Sequence, residues 1–363
     1  MITTNCNSLS SGRLASLDIL RGLDLFLLVF LQPVIVALGS VWHPAWLSPI
    51  LYQLDHEVWE GFRFWDLVMP LFLFMTGVAM PWSFARYGAE RPRKRLYVRI
   101  ARRFLLLFLL GMVVQGNLLG FDFHHIYFYT NTLQAIATGY VIAAAILLAC
   151  RLKGQIVCVA VLLVLYSVPM YLWGDFTPEG NFANMLDAMV MGSHRGDPSY
   201  TWLWSGLTFG VTVMFGAFAG QIMRQAGSDR LRAVLIMVLA GVALIAGGWL
   251  WGLSMPVIKR LWTASMTLLS GGYCFLLMAL FYYVIDVRGH QRGLGWLRIY
   301  GMNSIVAYIL GEAIDFRSIA RSLSYGLEPI LGEYYGVWLT FANFAIVFLL
   351  LLWLYRDKRF IKI

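Results

Sequence analysis

Asp55-His56-Glu57, a histidine between two carboxylates, is where this 363-residue chain points most directly to chemistry. An imidazole changes charge near neutral pH, and a neighbouring carboxylate orients the ring and raises its basicity, as a general base or nucleophile requires. Asp55 or Glu57 is the expected partner. Trp59 follows as an apolar wall or a platform for a sugar ring, and Gly61 allows close approach. Asp66 then stands at the mouth of an apolar run that reaches Met80 and carries Pro70 in its interior. The helix dipole favours a carboxylate at a helix start, so capping accounts for Asp66 as readily as function does. Pro70 is expected to bend the helix and free a carbonyl. Ionisable groups gathered at the mouth of a membrane helix are costly, which favours a functional reading.

The elements around this stretch are those of a membrane protein. Hydrophobic residues make up 60% of the chain and charged residues 13%, against about 25% charged in soluble domains. A span needs roughly 20 mostly apolar residues. By that measure the chain is all-α and polytopic, a single transmembrane domain over residues 1–363 with about ten helices. They centre on residues 17–38, 64–82, 104–117, 130–149, 156–173, 203–223, 231–250, 266–285, 299–320 and 337–355. The net charge of +9 needs no nucleic acid to explain it. The basic residues sit between spans, where the positive-inside rule accounts for them. Residues 86–103 are densely basic and set the cytoplasmic side, and Arg151, Arg224, Arg288, Arg292, Arg298 and the C-terminal tail fall with them. Both termini are then cytoplasmic and His56 faces outward. Lys259 and Arg260 break the pattern by landing on the outer side.

Other polar residues interrupt the spans. Asp18 and Arg21 are three apart and can pair on one helix face, as an ion pair at the membrane surface or as part of a binding site. Asp18, Arg21 and Asp24 interrupt the first apolar run, so it reads as a retained transmembrane helix and not a signal peptide. Gln32, deeper in that helix, either joins helices or donates to a substrate oxyanion. Asn303 starts a late helix, where an N-cap role explains part of its presence, and Glu312 and Asp315 lie deeper. The four cysteines suggest neither a disulfide framework nor a zinc site.

Several ordered motifs resemble one family. The start Arg13-Leu14, Ser16, Asp18, Arg21-Gly22 is followed by His56, Trp59, Gly61-Phe62, Asp66-Leu67-Val68 and Pro70. PVIKRLWTASMTLLSGG from Pro256, VIDVRG from Val284 and GMNSIVAYILGE from Gly301 complete the set. Together they resemble heparan-α-glucosaminide N-acetyltransferase and its bacterial relatives, which are multispanning acyltransferases. The family's proposed catalytic histidine aligns with His56. An asparagine of the family aligns with Gln32, one methylene longer. The segment Asn131-Thr132-Leu133-Gln134-Ala135 keeps the family's glutamine as Gln134 but not its arginine. The large luminal domain of the animal enzyme is expected to be absent.

The resemblance implies acetyl transfer from cytoplasmic acetyl-CoA, as co-substrate and without a metal, to an amino sugar or glycan on the periplasmic side of a bacterial inner membrane, and it implies dimerisation. Arginines of residues 86–103 and 288–298 would meet the CoA phosphates. His56 and Gln32 are the expected catalytic residues. Arg21, Trp59, Asp66, Gln134, Lys259 and Asn303 are the expected binding residues. A proton-coupled amino-sugar transporter is the rival, since polar groups inside a bundle suit uptake.

Overall fold

The computed structural model describes residues 14–87, 92–197 and 200–360. Arg13 of the opening motif, Cys6 and Arg91 lie outside them. The described residues form helices and no named strand, with one isolated bridge between Glu60 and Ile258. Among the described residues, eight helices are long and apolar enough to cross a membrane. Six of them matter most for the site or its surroundings: α1 (Ala15–Gly39), α3 (Phe64–Ala85), α5 (Thr132–Ala149), α8 (Gly206–Gln225), α9 (Arg230–Gly252) and α10 (Ala264–Val287). Between them lie α2 (Leu47–Gln53), α4 (Arg93–Val114), α6 (Leu152–Leu172) and α7 (Phe182–Met191). The chain closes with α11 (Gly295–Met302), α12 (Ser304–Ala313), α13 (Arg317–Ser324) and α14 (Tyr335–Arg356).

Two of the ten expected spans take another form. The run at 104–117 is the second half of α4, whose first half is basic from Arg93 to Arg103. The run at 299–320 is broken. Asn303 leaves helical geometry at φ −120°, ψ 44° and separates α11 from α12. Its side chain makes no cap hydrogen bond; Nδ2 instead donates to the Arg359 carbonyl at 3.3 Å.

The helices also correct the expectation for Pro70. It sits in the first α-turn after a 3₁₀ turn at Phe64–Leu67, a place where a missing N–H costs little. The interior proline of α3 is Pro81. In α1 the ladder widens into a π-turn at Leu27–Leu31, just before Gln32-Pro33. A proline cannot donate to the carbonyl four residues back, and a wider turn absorbs the mismatch.

Packing separates an inner set of helices from an outer one. α8 is the most enclosed, packed on α3 and α5, while α6 and α9 present Val161, Val164, Leu235 and Leu239 outward. An apolar outer surface on a polytopic bundle is what a lipid environment tolerates. α1 and α11 cross backbone to backbone: a Cβ on Gly22 would overlap the Leu297 carbonyl, and one on Gly301 the Asp18 carbonyl. Small residues permit this approach in membrane helices. Alanine at Gly22 is expected to lower the melting temperature in detergent, and an unchanged melting curve would count against the crossing.

Candidate active site

His56 lies in the connection between α2 and α3, and its partner is not an immediate neighbour. The carboxylate of Asp66, ten residues on, accepts from Nδ1 at 2.8 Å. Asp66 is fully buried, and its other oxygen accepts the backbone N–H groups of Arg63 at 3.0 Å and Glu57 at 3.3 Å. An acceptor-only carboxylate puts the ring proton on Nδ1 and leaves the Nε2 lone pair available. Asp55 and Glu57, the expected orienting groups, do other work. Asp55 accepts the His56 backbone N–H at 2.8 Å. Glu57 forms a two-pronged pair with Arg63 at 2.8 and 3.0 Å, which holds its carboxyl below the usual range. The Arg63 guanidinium also stacks on Tyr52.

A second loop, between α9 and α10, completes the group. Lys259 Nζ lies 2.9 Å from Nδ1 and 3.1 Å from Nε2 of His56, and 3.6 Å from Asp66 Oδ1. The loops are clamped by the Gly61 N–H donating to the Val257 carbonyl at 2.8 Å, beside the Glu60–Ile258 bridge. Gly61 has φ +134°, and a side chain there would also strike Glu57, so glycine is required for this clamp. Thr263 Oγ1 accepts the Ile258 N–H and donates to the Pro256 carbonyl. Tyr166 and Ser205 both donate to the Leu261 carbonyl at 2.7 Å. The backbone that carries Lys259 is therefore held on both sides of it.

Burial pushes the Lys259 ammonium down to about 8, against the pull of Asp66. A base whose folded value is depressed binds fewer protons folded than unfolded between about 8 and the ordinary lysine value near 10.4. The cost of burying the charge is fully present below that window. Stability then rises with pH across it. The melting temperature is expected to climb from pH 8 to pH 10, and Lys259→Met should flatten the climb. An equal climb in the variant would overturn this.

Two cavities surround the site. The first, about 310 Å³, is lined by His56 and Lys259 together with Arg260, Tyr200, Asp197 and Glu312. The second, about 230 Å³, is lined by Arg21 from α1 and by Arg99 and Arg103 from α4. Phe72, Thr132 and Tyr308 line both. These three side chains thus stand between the arginines of the second cavity and the histidine of the first. The Tyr308 hydroxyl accepts from Asn131 Nδ2 at 3.2 Å, and Asn131 also donates to Gln115 at 2.9 Å. Arg103 stacks on the Tyr140 ring at 4.5 Å.

The expected site residues divide accordingly. His56, Asp66 and Lys259 come together, and Arg21 lines the second cavity. Trp59 lines neither cavity; its indole N–H donates to the Phe176 carbonyl at 2.7 Å. Gln134 is buried and turned to the backbone. Its amide oxygen accepts from Thr130 and Asn131, and its nitrogen donates to the Phe128 carbonyl. It belongs to the capping box of α5. Gln32 also lies outside both linings, with Nε2 donating to the Leu54 carbonyl at 3.4 Å. Arg288, Arg292 and Arg298, expected at the phosphates, line neither cavity. Asp315 accepts the Arg317 backbone N–H at 2.9 Å. Arg260, Tyr200 and Gln115 are lining residues that sequence reasoning did not select as site residues.

Residues 13–117 match a family model described as a domain of unknown function, DUF5009. That segment holds the histidine loop and α3 but not Lys259. The chain is 23% identical over 378 residues to heparan-alpha-glucosaminide N-acetyltransferase of Mus musculus, covering 84% of this chain and 54% of the relative. Against the protein of the same name in Homo sapiens it is 25% identical over 371 residues, covering 84% and 53%. The resemblance read from the sequence holds at the level of distant homology. The chain spans about half the length of the curated relatives it matches. The matched share of this chain is too large to be confined to residues 13–117, so the similarity extends well past the DUF5009 segment.

Proposed function

We propose that this protein is a membrane acyltransferase that moves an acetyl group from acetyl-CoA to the amine of an amino sugar or glycan on the opposite side of a bacterial inner membrane. The observation that carries this reading is the pair of cavities meeting at Phe72, Thr132 and Tyr308. Guanidinium groups suit phosphate, and Arg21, Arg99 and Arg103 would meet the CoA phosphates on the cytoplasmic side. The pantetheine arm would pass between these three side chains and bring the thioester to His56. The relatives' name supports the choice of acetyl donor and amino-sugar acceptor.

Asp66 holds the His56 proton on Nδ1, so Nε2 takes a proton from the attacking amine or accepts the acetyl group before passing it on. Gln32 has a different part from the oxyanion donor the sequence suggests. It holds the Leu54 carbonyl, two residues before His56, and acts as a positioning residue. Gln32→Ala is therefore expected to cost less than the roughly 100–1000-fold that loss of an oxyanion donor costs. A loss inside that range would restore the direct role.

The test is purified protein in detergent given acetyl-CoA and glucosamine, with free CoA measured and products identified by mass spectrometry. Acceptor-dependent CoA release is the expected result. Uptake of an amino sugar by reconstituted vesicles, with no CoA released for any amino-sugar or glycan acceptor, would overturn the enzyme reading in favour of a transporter.

A further inference from the structure

Lys259 puts a primary amine where an acceptor's amine has to be. Its Nζ lies against the His56 ring, 2.9 Å from Nδ1 and 3.1 Å from Nε2, within the reach of a base that takes a proton from its substrate. Nδ1 is committed to Asp66, so Nε2 is the nitrogen left to serve this amine. The amine lines the same cavity as the ring and its loop is clamped in place, so the juxtaposition is built in. Surface lysines are poor nucleophiles near neutral pH because they are protonated. Lys259 is one-tenth exposed and burial favours its neutral form, which is how lysines are activated elsewhere. Asp66 faces the amine, Arg260 adjoins it, and Asp197, Tyr200 and Glu312 line the same cavity.

We propose that Lys259 is a self-acetylation site, its Nζ taking the acetyl group from acetyl-CoA inside the His56 cavity when no acceptor fills it. The inference rests on the acetyl-transfer reading above. The ammonium loses one proton to water. The amine lone pair then forms a bond to the thioester carbonyl carbon, the carbon–sulfur bond breaks, and the electron pair leaves with sulfur. His56 Nε2 carries a second proton from the nitrogen to the departing thiolate. The products are acetyl-lysine, free CoA and one proton in solution, and no oxidant or reductant is needed. The amide that results is neutral beside Asp66 and fills the acceptor's place. An enzyme left with acetyl-CoA alone would shut itself down.

The experiment uses the full chain in detergent, incubated with acetyl-CoA and no acceptor, quenched at intervals and mapped by peptide mass spectrometry. Lys94 and Lys153, both exposed, report ordinary chemical acetylation in the same sample. Lys259 is expected to gain one acetyl group about 100-fold faster than either, the scale of general-base assistance, and His56→Ala should remove that advantage. Acetylation of Lys259 no faster than Lys94 and Lys153, or equally fast in the His56 variant, overturns the inference. An unmodified Lys259 in protein that acetylates added glucosamine overturns it while leaving the proposed function standing. No acetyl transfer to any lysine or any acceptor overturns both.

Discussion

Replacing His56 with alanine is expected to lower acetyl transfer by about 100–10,000-fold, the range over which a positioned acid–base group contributes. Binding of acetyl-CoA should be retained, because Arg21, Arg99 and Arg103 line the other cavity. The same order of loss is expected of Asp66→Asn, for a separate reason. Asp66 accepts on both oxygens, from His56 on one and from two backbone N–H groups on the other. An amide has one acceptor and one donor end. One orientation turns its NH₂ toward His56 and moves the ring proton to Nε2; the other turns the NH₂ toward the N–H groups of Glu57 and Arg63. Neither keeps the Nε2 lone pair free and the turn at Phe64–Leu67 satisfied together. Leaving a buried donor unpaired costs about 1–3 kcal/mol, so the asparagine variant should melt earlier, and His56→Ala, which strips the buried Asp66 of its 2.8 Å partner, should melt earlier too. CoA release, acetyl-CoA binding and melting curves measured side by side check both variants. A His56→Ala protein turning over at the parental rate would remove the histidine from the chemistry.

Much of this arrangement is legible in the residues, and the part that is not has identifiable causes. The histidine loop and its carboxylates stand out because charge is scarce in the chain. Asp66 is visible as a helix-mouth acid, but sequence adjacency favours Asp55 and Glu57 as partners of the ring. Arg63 decides otherwise, since its guanidinium draws Glu57 away and a 3₁₀ turn brings Asp66 back under the imidazole. Lys259 is the reverse case. The charge pattern of the sequence puts it on the outer side, against the charge rule, and the structure puts it beside His56, which gives that charge a reason to be there. What the pattern cannot supply is the rotation of α1. A π-turn ahead of Pro33 shifts the angular position of every later residue, and Gln32 ends outside both cavities. The broken helix at Asn303 is hidden for a related reason, since hydropathy registers apolar length and not backbone continuity.

The boundary between the cavities, the neck of the proposed route, gives the second large expected effect. Thr132 begins α5, Phe72 belongs to α3 and Tyr308 to α12, so three helices meet where, on the proposed route, the acetyl-bearing arm passes. The Tyr308 hydroxyl is tethered through Asn131 to Gln115, which makes the wall stiff and its width a matter of side-chain size. Tryptophan in place of Thr132 would occupy that width. Turnover of acetyl-CoA should fall by about 100-fold or more, since a displacement of roughly 1 Å at the reacting centre already costs that much. A short thioester such as S-acetyl-N-acetylcysteamine can enter from the histidine side, and its hydrolysis or transfer should hold at the parental order of magnitude. The contrast between the two donors isolates passage from chemistry. Were both donors to fail alike, Phe72→Trp would narrow the same neck from another helix, and a second joint failure would mean the neck belongs to the reacting centre itself. Unimpaired turnover of acetyl-CoA in both tryptophan variants would mean the arm reaches His56 by another route. The arginines of the second cavity would then lose their assignment to the CoA phosphates.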